Sequence, residues 1–198
     1  MRKQTRPPIP PILVQHGEQW ARQWAALRAR NPKAAFQWYQ ADGRSARDHL
    51  LSHLRSMTQS HCAFCDSFPL DDRSSEPIEH FKPKSDPPFY ADAYRWENLY
   101  YCCELCQGTK REQWDERLLR PDASDYSFES YFVFDYTTGE IKPNPVVSAQ
   151  DQARAKVTIQ LYGLDLPSRR QSRRLELRRC QRGGSGSIDE WAYRDFLE

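Results

Sequence analysis

The chain has 198 residues, 38% of them hydrophobic and 28% charged, and a formal net charge of +2. A chain of this length fits one domain with helical attachments, and no stretch approaches the roughly 18 apolar residues that a membrane-spanning helix requires. The N-terminal segment is basic and proline-rich with no apolar core behind it. This argues against a secretory signal and predicts a cytoplasmic protein without membrane partners.

Charge is strongly segregated along the chain. Counted by segment, the net charge is +7 over residues 1–60, −8 over 61–150, +6 over 151–182 and −3 over 183–198. Basic flanks around an acidic centre suit a protein whose lysines and arginines bind phosphates while its carboxylates bind a divalent cation. An acidic protein surface is a second partner that such flanks would fit, and plain solubility is the alternative to both.

The N-terminal third predicts an arm followed by two helices. Consecutive prolines within residues 1–15 exclude a helix and predict an extended arm. Apolar residues recur at helical spacing over about 17–30 and again over about 45–58. Trp20 and Trp24 share one face of the first helix, and exposed tryptophans beside an extended arm would favour contacts with a partner protein.

The remaining elements alternate short strands with helices. The pattern predicts, in order, a strand at 78–81, a helix from the second CxxC pair toward Leu119, a hairpin over 131–142, a helix from Ser148 to Leu161 and a basic helix from about Pro167. This mixture indicates the α+β class.

These elements divide the chain into five segments. They are an extended arm (1–15), N-terminal helices (16–60), a zinc-bound core (61–120), a hairpin with basic C-terminal helices (121–182), and a glycine/serine linker with an acidic amphipathic tail (183–198). The run Gly183–Ser187 is typical of an engineered linker and is left out of the fold prediction. The residues after it predict a short amphipathic docking helix.

Two CxxC pairs, Cys62–Cys65 and Cys103–Cys106, are the most informative motif of the chain. Each pair places two sulfurs on a tight turn, and four thiolates complete a closed tetrahedral zinc site with no open position for a substrate. The metal would hold together the two ends of the 37-residue segment between the pairs, in place of a large hydrophobic core. A disulfide framework is the alternative for six cysteines, whereas zinc binding would leave Cys102 and Cys180 as free thiols.

An arginine-rich run lies in the predicted C-terminal helix. Its repeats at i, i+4 stack like charges, which costs helix stability unless a partner neutralises them. We therefore predict that DNA phosphates contact the first part of the run, namely Arg169, Arg170, Arg173 and Arg174.

Four motifs resemble those of the HNH, or ββα-metal, endonucleases. In sequence order they are Cys62-x-x-Cys65, Ile78-Glu79-His80-Phe81-Lys82-Pro83-Lys84-Ser85, Tyr94-Arg95-Trp96-Glu97-Asn98-Leu99 and Cys103-x-x-Cys106-Gln107-x-x-Lys110. Within these nucleases, the pattern is similar to the PtuB-like subunit of Septu anti-phage systems and to the related effector encoded beside certain retrons. The resemblance is close over residues 60–111 and loose over 112–182.

The resemblance implies a small zinc-pinned, treble-clef-like ββα core that cleaves DNA. His80 would be the general base that deprotonates the attacking water, and Asn98 would brace the loop that orients it. Glu79 and Gln107 would bind a catalytic divalent ion, Mg2+ or Mn2+, through oxygen, while zinc stays structural. The candidate phosphate contacts implied by the same motifs are Lys84 and Lys110.

Gln107 departs from the family pattern, which usually has Asn or His directly after the last zinc cysteine. Its carbonyl oxygen lies one methylene farther out, and a ligand displaced by about 1 Å can cost roughly 100-fold in rate. Two functions stay open: an active endonuclease that is the effector of an anti-phage complex, and a weak or inactive zinc module that scaffolds the complex or binds nucleic acid.

The resemblance also implies partners. An ABC-type ATPase subunit would control the effector, because the chain has no recognisable nucleotide-binding motif of its own. In the retron version, a reverse transcriptase with its RNA-linked DNA would belong to the same complex.

Overall fold

The computed structural model describes residues 1–70, 78–183 and 186–198. Within these ranges the chain is a mixed α+β protein with small two-stranded sheets. The helices are α1 (Pro11–Arg30), α2 (Ala46–Thr58), α3 (Glu104–Lys110), α4 (Ala149–Leu161), α5 (Pro167–Gln181) and α6 (Arg194–Leu197). The strands are β1 (Gln40–Ala41), β2 (Arg44–Ser45), β3 (Ile78–His80), β4 (Leu99–Tyr101), β5 (Phe132–Asp135) and β6 (Glu140–Pro143), and they pair antiparallel as β1–β2, β3–β4 and β5–β6. No helix in the described ranges has the length and apolar character needed to cross a membrane.

Helix α1 begins at Pro11, so the arm predicted for residues 1–15 is too long. A proline tolerates the first helical position because its ring fixes φ and its missing N–H would have no intrahelical partner there. The backbone N–H groups of Leu13 and Val14 donate to the carbonyl of Pro10 at 2.9 and 3.2 Å. The consecutive prolines therefore start the helix rather than prevent it.

The two tryptophans of α1 are buried. Trp20 and Trp24 keep 5% and 2% of their accessible surface. The indole N–H of Trp24 donates to the carbonyl of Lys84 at 2.9 Å, which joins α1 to the loop after β3. The prediction that these tryptophans form an exposed docking surface is wrong, because the protein's own core covers them.

Helix α2 agrees with the predicted range. The Ser45 hydroxyl caps it by accepting a hydrogen bond from the backbone N–H of Asp48 at 3.2 Å. Leu50 and Leu54 are fully buried on its inner face, and the helix ends at Thr58 because Gln59 adopts the left-handed conformation. The first CxxC pair follows within a few residues, so α2 fixes where that turn lies.

Strand β3 carries Glu79 and His80, and the third residue with a predicted catalytic role, Asn98, directly precedes β4. Glu79 lies opposite Tyr100, and His80 lies opposite Leu99. Every residue of the two strands is buried. The strand predicted at 78–81 is therefore present, shorter by one residue.

Helix α3 follows β4 and has Cys103 of the second CxxC pair as its N-cap. It ends at Lys110 because Arg111 adopts a φ of 52° with a ψ of −133°, a backbone conformation that cannot continue a right-handed helix. The predicted extension toward Leu119 is wrong.

The hairpin and the two helices after it follow the prediction. Strands β5 and β6 bury Phe132 and Ile141, and α4 packs on β6. Ser148 caps α4 by accepting from the backbone N–H of Asp151 at 3.1 Å. Helix α5 begins at Pro167, as expected.

The acidic tail packs on the protein's own core. It forms a 3-10 turn at Ile188–Glu190 and the four-residue α6, which is shorter than the predicted docking helix. Phe196 is fully buried, and Arg194 forms a buried ion pair with Asp66 at 2.7 Å, directly after the first CxxC pair. The interpretation of the preceding glycine/serine run as an engineered linker stays a prediction, and residues 184–185 of that run lie outside the described residues.

Candidate metal centre and adjoining cavity

The two CxxC turns bring four cysteine sulfurs together. The Sγ atoms of Cys62, Cys65, Cys103 and Cys106 all lie within 4.8 Å of one another, and all four residues are buried. The Cys62–Cys106 and Cys65–Cys103 Sγ separations are 3.8 and 3.7 Å. Tetrahedral zinc bonds of about 2.3 Å would give a separation of roughly 3.8 Å. This cluster could therefore bind a metal such as zinc.

The disulfide alternative does not hold, since all six cysteines are free. Cys102 is buried beside the cluster, and its thiol lies 3.5 Å from the carbonyl of Cys103. Cys180 is half-buried on α5. Both are free thiols, as the sequence predicts.

Arg169 of α5 lies against the metal-binding sulfurs. The residue is 2% exposed, and its Nη2 lies 3.1 Å from Cys106 Sγ and 3.7 Å from Cys103 Sγ. Four thiolates around one Zn2+ would carry a net charge of about −2, which the guanidinium partly offsets. The prediction that Arg169 contacts DNA is wrong, because its burial against the sulfurs removes it from the surface.

The other arginines of the predicted DNA-binding run divide into two groups. Arg173 is buried and donates to backbone carbonyls of the hairpin turn and of the loop before α5. Arg170 is paired with Asp165 in the same loop. The predicted DNA contact of Arg173 is wrong as well, because its guanidinium group is buried on these carbonyls. Arg170 is half-buried, and its contact with DNA stays a prediction. Arg174 is exposed.

A cavity of about 160 Å³ lies beside β3 and α3. Its lining residues are Ile78, Glu79, His80, Pro83, Lys84, Gln107, Arg111 and Glu112. The structure thus brings the expected general base and both expected divalent-ion ligands to one site. None of the four clustered cysteines lines this cavity.

The His80 imidazole is held in one orientation. Its Nε2 lies 3.0 Å from the carbonyl oxygen of Ala93, and because a carbonyl only accepts, Nε2 carries the proton and Nδ1 keeps the lone pair. Burial, together with the nearby positive charge of Lys84, holds the pKa of His80 well below its ordinary value. The ring is therefore neutral, with its lone pair on Nδ1.

Two aromatic rings from the segment between α1 and β1 surround that imidazole. Trp38 stacks on His80 with ring centroids 5.5 Å apart and an interplanar angle of 23°. Phe36 meets it edge to face at 5.0 Å. The sequence does not point to either residue, because both precede the Glu79-His80 motif by about forty positions and nothing local marks them.

Glu79 is paired with Lys110 at the cavity wall. Lys110 Nζ lies 2.7 Å from Glu79 Oε1 and 3.0 Å from the carbonyl of His80, and the lysine is fully buried. Burial raises the pKa of Glu79 to about 7, and the positive charge of Lys110 offsets only part of this rise. The expectation that Lys110 contacts phosphate is wrong, because its ammonium group is used inside the protein.

Asn98 has the bracing geometry that the HNH resemblance implies. Its Oδ1 accepts from the backbone N–H of Lys82 at 2.7 Å, while Nδ2 donates to the carbonyls of Lys82 and Asp92 at 3.1 and 3.0 Å. These bonds fix both ends of the loop that carries Ala93, the hydrogen-bond acceptor of His80. Asn98 itself does not line the cavity.

Charged groups of both signs line the remaining cavity wall. Lys84 Nζ lies 3.7 Å from Glu112 Oε1. Arg111 enters the wall because the chain turns there with a φ of 52°, and a non-glycine residue in this conformation often marks a functional site. The sequence points to neither Arg111 nor Glu112, since only the end of α3 places them and no spacing pattern marks that end.

No protein-family model matches this chain, and no curated protein matches it at a significant level. The cavity geometry and the motif resemblance are therefore the basis for a functional assignment.

Proposed function

We propose that this protein is a metal-dependent endonuclease of the HNH type that hydrolyses phosphodiester bonds in DNA. The observation that carries the proposal is the shared cavity, where a neutral, oriented His80 lies beside the oxygen-bearing side chains of Glu79 and Gln107. A general base and oxygen ligands within one polar cavity are the groups that phosphodiester hydrolysis needs.

In this proposal, His80 Nδ1 removes the proton from the attacking water. The carbonyl of Ala93 keeps Nε2–H bound during the transfer and stabilises the positive charge that develops on the ring. Trp38 and Phe36 keep water from the buried side of the imidazole. The proton is therefore transferred on the cavity side of the ring.

The residues present fit a hard divalent ion. Glu79 offers a carboxylate and Gln107 an amide oxygen, and Mg2+ is commonly bound by one or two protein oxygens together with water and substrate phosphate. When bound, such an ion would stabilise negative charge on the phosphate and on the leaving oxygen. Lys110 holds the Glu79 carboxylate at the cavity edge.

The four-cysteine cluster would hold zinc as a structural ion and fix α3 against β3 and β4. Lys84 and Arg111 are the candidate phosphate contacts at the cavity, since both are cations in its wall. An ABC-type ATPase, and in retron systems a reverse transcriptase with its RNA-linked DNA, are the partners that the resemblance supports.

Two features favour a second function, a zinc-bound module that scaffolds the complex without catalysis. Lys110 Nζ already lies 2.7 Å from the carboxylate that would bind the ion, and Gln107 stands where the family pattern has a shorter ligand or a histidine. Both features would weaken the binding of a divalent ion.

A cleavage assay decides between these functions. Purified protein is incubated with DNA and Mg2+ or Mn2+, with and without the neighbouring ATPase, and the parent is compared with His80→Ala. We expect His80→Ala to lose cleavage by at least roughly 100-fold while keeping zinc. His53→Ala is the matched control, because His53 lies on α2 outside the cavity. Undiminished cleavage by His80→Ala would remove that residue from the mechanism, and DNA binding without cleavage under every condition would favour the scaffold.

A further inference from the structure

Helix α5 is fixed to the core through one face. Arg169 lies on the metal-binding sulfurs and Arg173 on backbone carbonyls of the hairpin turn and the preceding loop. Both residues are buried, at 2% and 3% exposure. The opposite face of the helix is therefore held in a defined position relative to the metal centre.

Three exposed arginines follow that outer face: Arg174 and Arg178 on α5, and Arg182 directly after its last residue. We call them the arginine row. The three follow one another at four-residue intervals, so they lie close to one line and span about 12 Å at 1.5 Å per residue. Among the described residues, none of the three forms an ion pair. Arg170 and Arg179 on the same helix are paired with acids.

The arginine row is unfavourable for the isolated helix. Like charges at i, i+4 destabilise a helix by about 0.2–0.5 kcal/mol per pair. The helix dipole stabilises cations in the last turn, so it offsets the repulsion at the C-terminal end of the row. Arg174 lies two turns before the end of α5, where the dipole no longer compensates. An anionic partner would neutralise all three charges together.

We infer that the arginine row binds the phosphate backbone of duplex nucleic acid, an inference that rests on the proposed nuclease function and names the form of its substrate. Successive members of the row are about 6 Å apart, and a duplex carries one phosphate charge per roughly 1.7 Å of its axis. The row of about 12 Å therefore spans the axial length of several phosphate charges. Such contacts position the protein without reading sequence.

The composition of the exposed surface favours a duplex over a single strand. Proteins that bind single strands stack successive bases on aromatic side chains. The most exposed large hydrophobic residues in the described ranges are aliphatic except for Tyr136, and Leu175 is the one on α5. The arginine row therefore lies on a surface that offers charge and no series of stacking platforms.

The test measures affinity for a 30-base-pair duplex as a function of salt, using His80→Ala protein so that cleavage does not interfere. The variant Arg174→Gln/Arg178→Gln/Arg182→Gln is compared with the charge-matched control Arg30→Gln/Lys33→Gln/Arg44→Gln, which removes three exposed cations from elsewhere. We expect the row variant to bind roughly tenfold or more weakly and its log–log salt slope to be shallower by roughly 0.9 per lost contact, about 2.7 in all. The control should keep the parent slope.

Four results would overturn the inference. They are an unchanged affinity and slope in the row variant, an equal loss in the control, a preference of the row for single-stranded DNA of the same length, and the absence of duplex binding by the parent. A parent that binds duplex through the row yet never cleaves would leave the inference intact and refute the nuclease function. A parent that cleaves DNA while the row variant binds the duplex with parental affinity would refute the inference and support the nuclease function.

Zinc content and circular dichroism of every variant verify that the fold is kept. The parent assayed without added magnesium or manganese provides a second background in place of His80→Ala, so a folding defect of that variant does not prevent the comparison.

Discussion

Lys110 Nζ lies 2.7 Å from Glu79 Oε1, and this pair joins the last turn of α3 to the centre of β3. The lysine is fully buried and also donates to the backbone carbonyl of His80 at 3.0 Å. One ammonium group therefore fixes both the carboxylate of the candidate ion site and the backbone of the candidate base. Its removal should affect stability and chemistry together.

We predict that Lys110→Met lowers the free energy of unfolding by about 3–5 kcal/mol, because it leaves the Glu79 carboxylate buried without a partner. The double variant Glu79→Gln/Lys110→Met should lose less than the sum of the two single variants, since neither charge is then left alone. Urea unfolding of the zinc-loaded proteins measures both effects. Additive losses would show that the pair is not coupled.

The pH dependence of stability tests the environment of Glu79. Burial raises its pKa from 4.5 in the unfolded chain to about 7 in the folded protein. The folded state thus binds more protons between these values, so the contribution of Glu79 to stability falls as pH rises from about 5 to 7 and is constant above. The shift corresponds to a change on the order of 3 kcal/mol.

The measurement compares the parent with Glu79→Gln from pH 5 to 8, without added divalent ions other than the bound zinc. The parent should become less stable relative to the variant as pH rises, by about 1.4 kcal/mol per pH unit at most. The variant also leaves Lys110 unpaired, which changes its free energy of unfolding by an amount that does not depend on pH. The test therefore uses the slope of the stability difference against pH. Parallel curves would contradict a raised pKa.

Arg169 should protect the metal centre. Replacing it with methionine removes the guanidinium that lies 3.1 Å from Cys106 Sγ, and the loss of such an outer contact typically lowers metal affinity by roughly 10–100-fold. Faster zinc transfer to a coloured chelator would report the change. Arg178→Met on the exposed face of the same helix is the control and should retain zinc like the parent.

Asn98→Asp should impair the loop that orients His80. An aspartate accepts from the N–H of Lys82 but loses the amide N–H groups that donate to the carbonyls of Lys82 and Asp92. Unpaired buried carbonyls cost about 1–3 kcal/mol each. We expect a lower unfolding midpoint and, if the protein is a nuclease, a lower cleavage rate at unchanged zinc content. A variant with parental stability would argue against the bracing role.

Local patterns predict the parts of this fold that local forces determine. The CxxC spacing predicts which cysteines cluster, because two sulfurs on one turn need few other contacts. Ser45 and Ser148 mark helix starts, because a cap is made within three residues. The proximity of His80 and Asn98 follows from the motif resemblance, and the pairing of β3 with β4 brings them together, since His80 lies opposite Leu99 and Asn98 directly precedes β4.

Long-range pairing decides the parts that the sequence does not predict. Lys110, Arg169 and Arg173 are cations, and composition alone favours a place on the surface for each. Each is buried because a distant carboxylate, sulfur or carbonyl compensates its charge. The same holds for Trp38, which reaches His80 only through the tertiary fold.

Crystallography with Mn2+ and a short duplex gives the most direct test of the proposed site, using zinc-loaded His80→Ala protein so that the substrate stays intact. Anomalous scattering at the manganese edge should show one ion within about 2.0–2.6 Å of oxygens from Glu79 and Gln107, with a DNA phosphate on the cavity side of residue 80. A duplex bound elsewhere, with no manganese at Glu79 and Lys110 still 2.7 Å from its carboxylate as in this structure, would contradict the nuclease assignment.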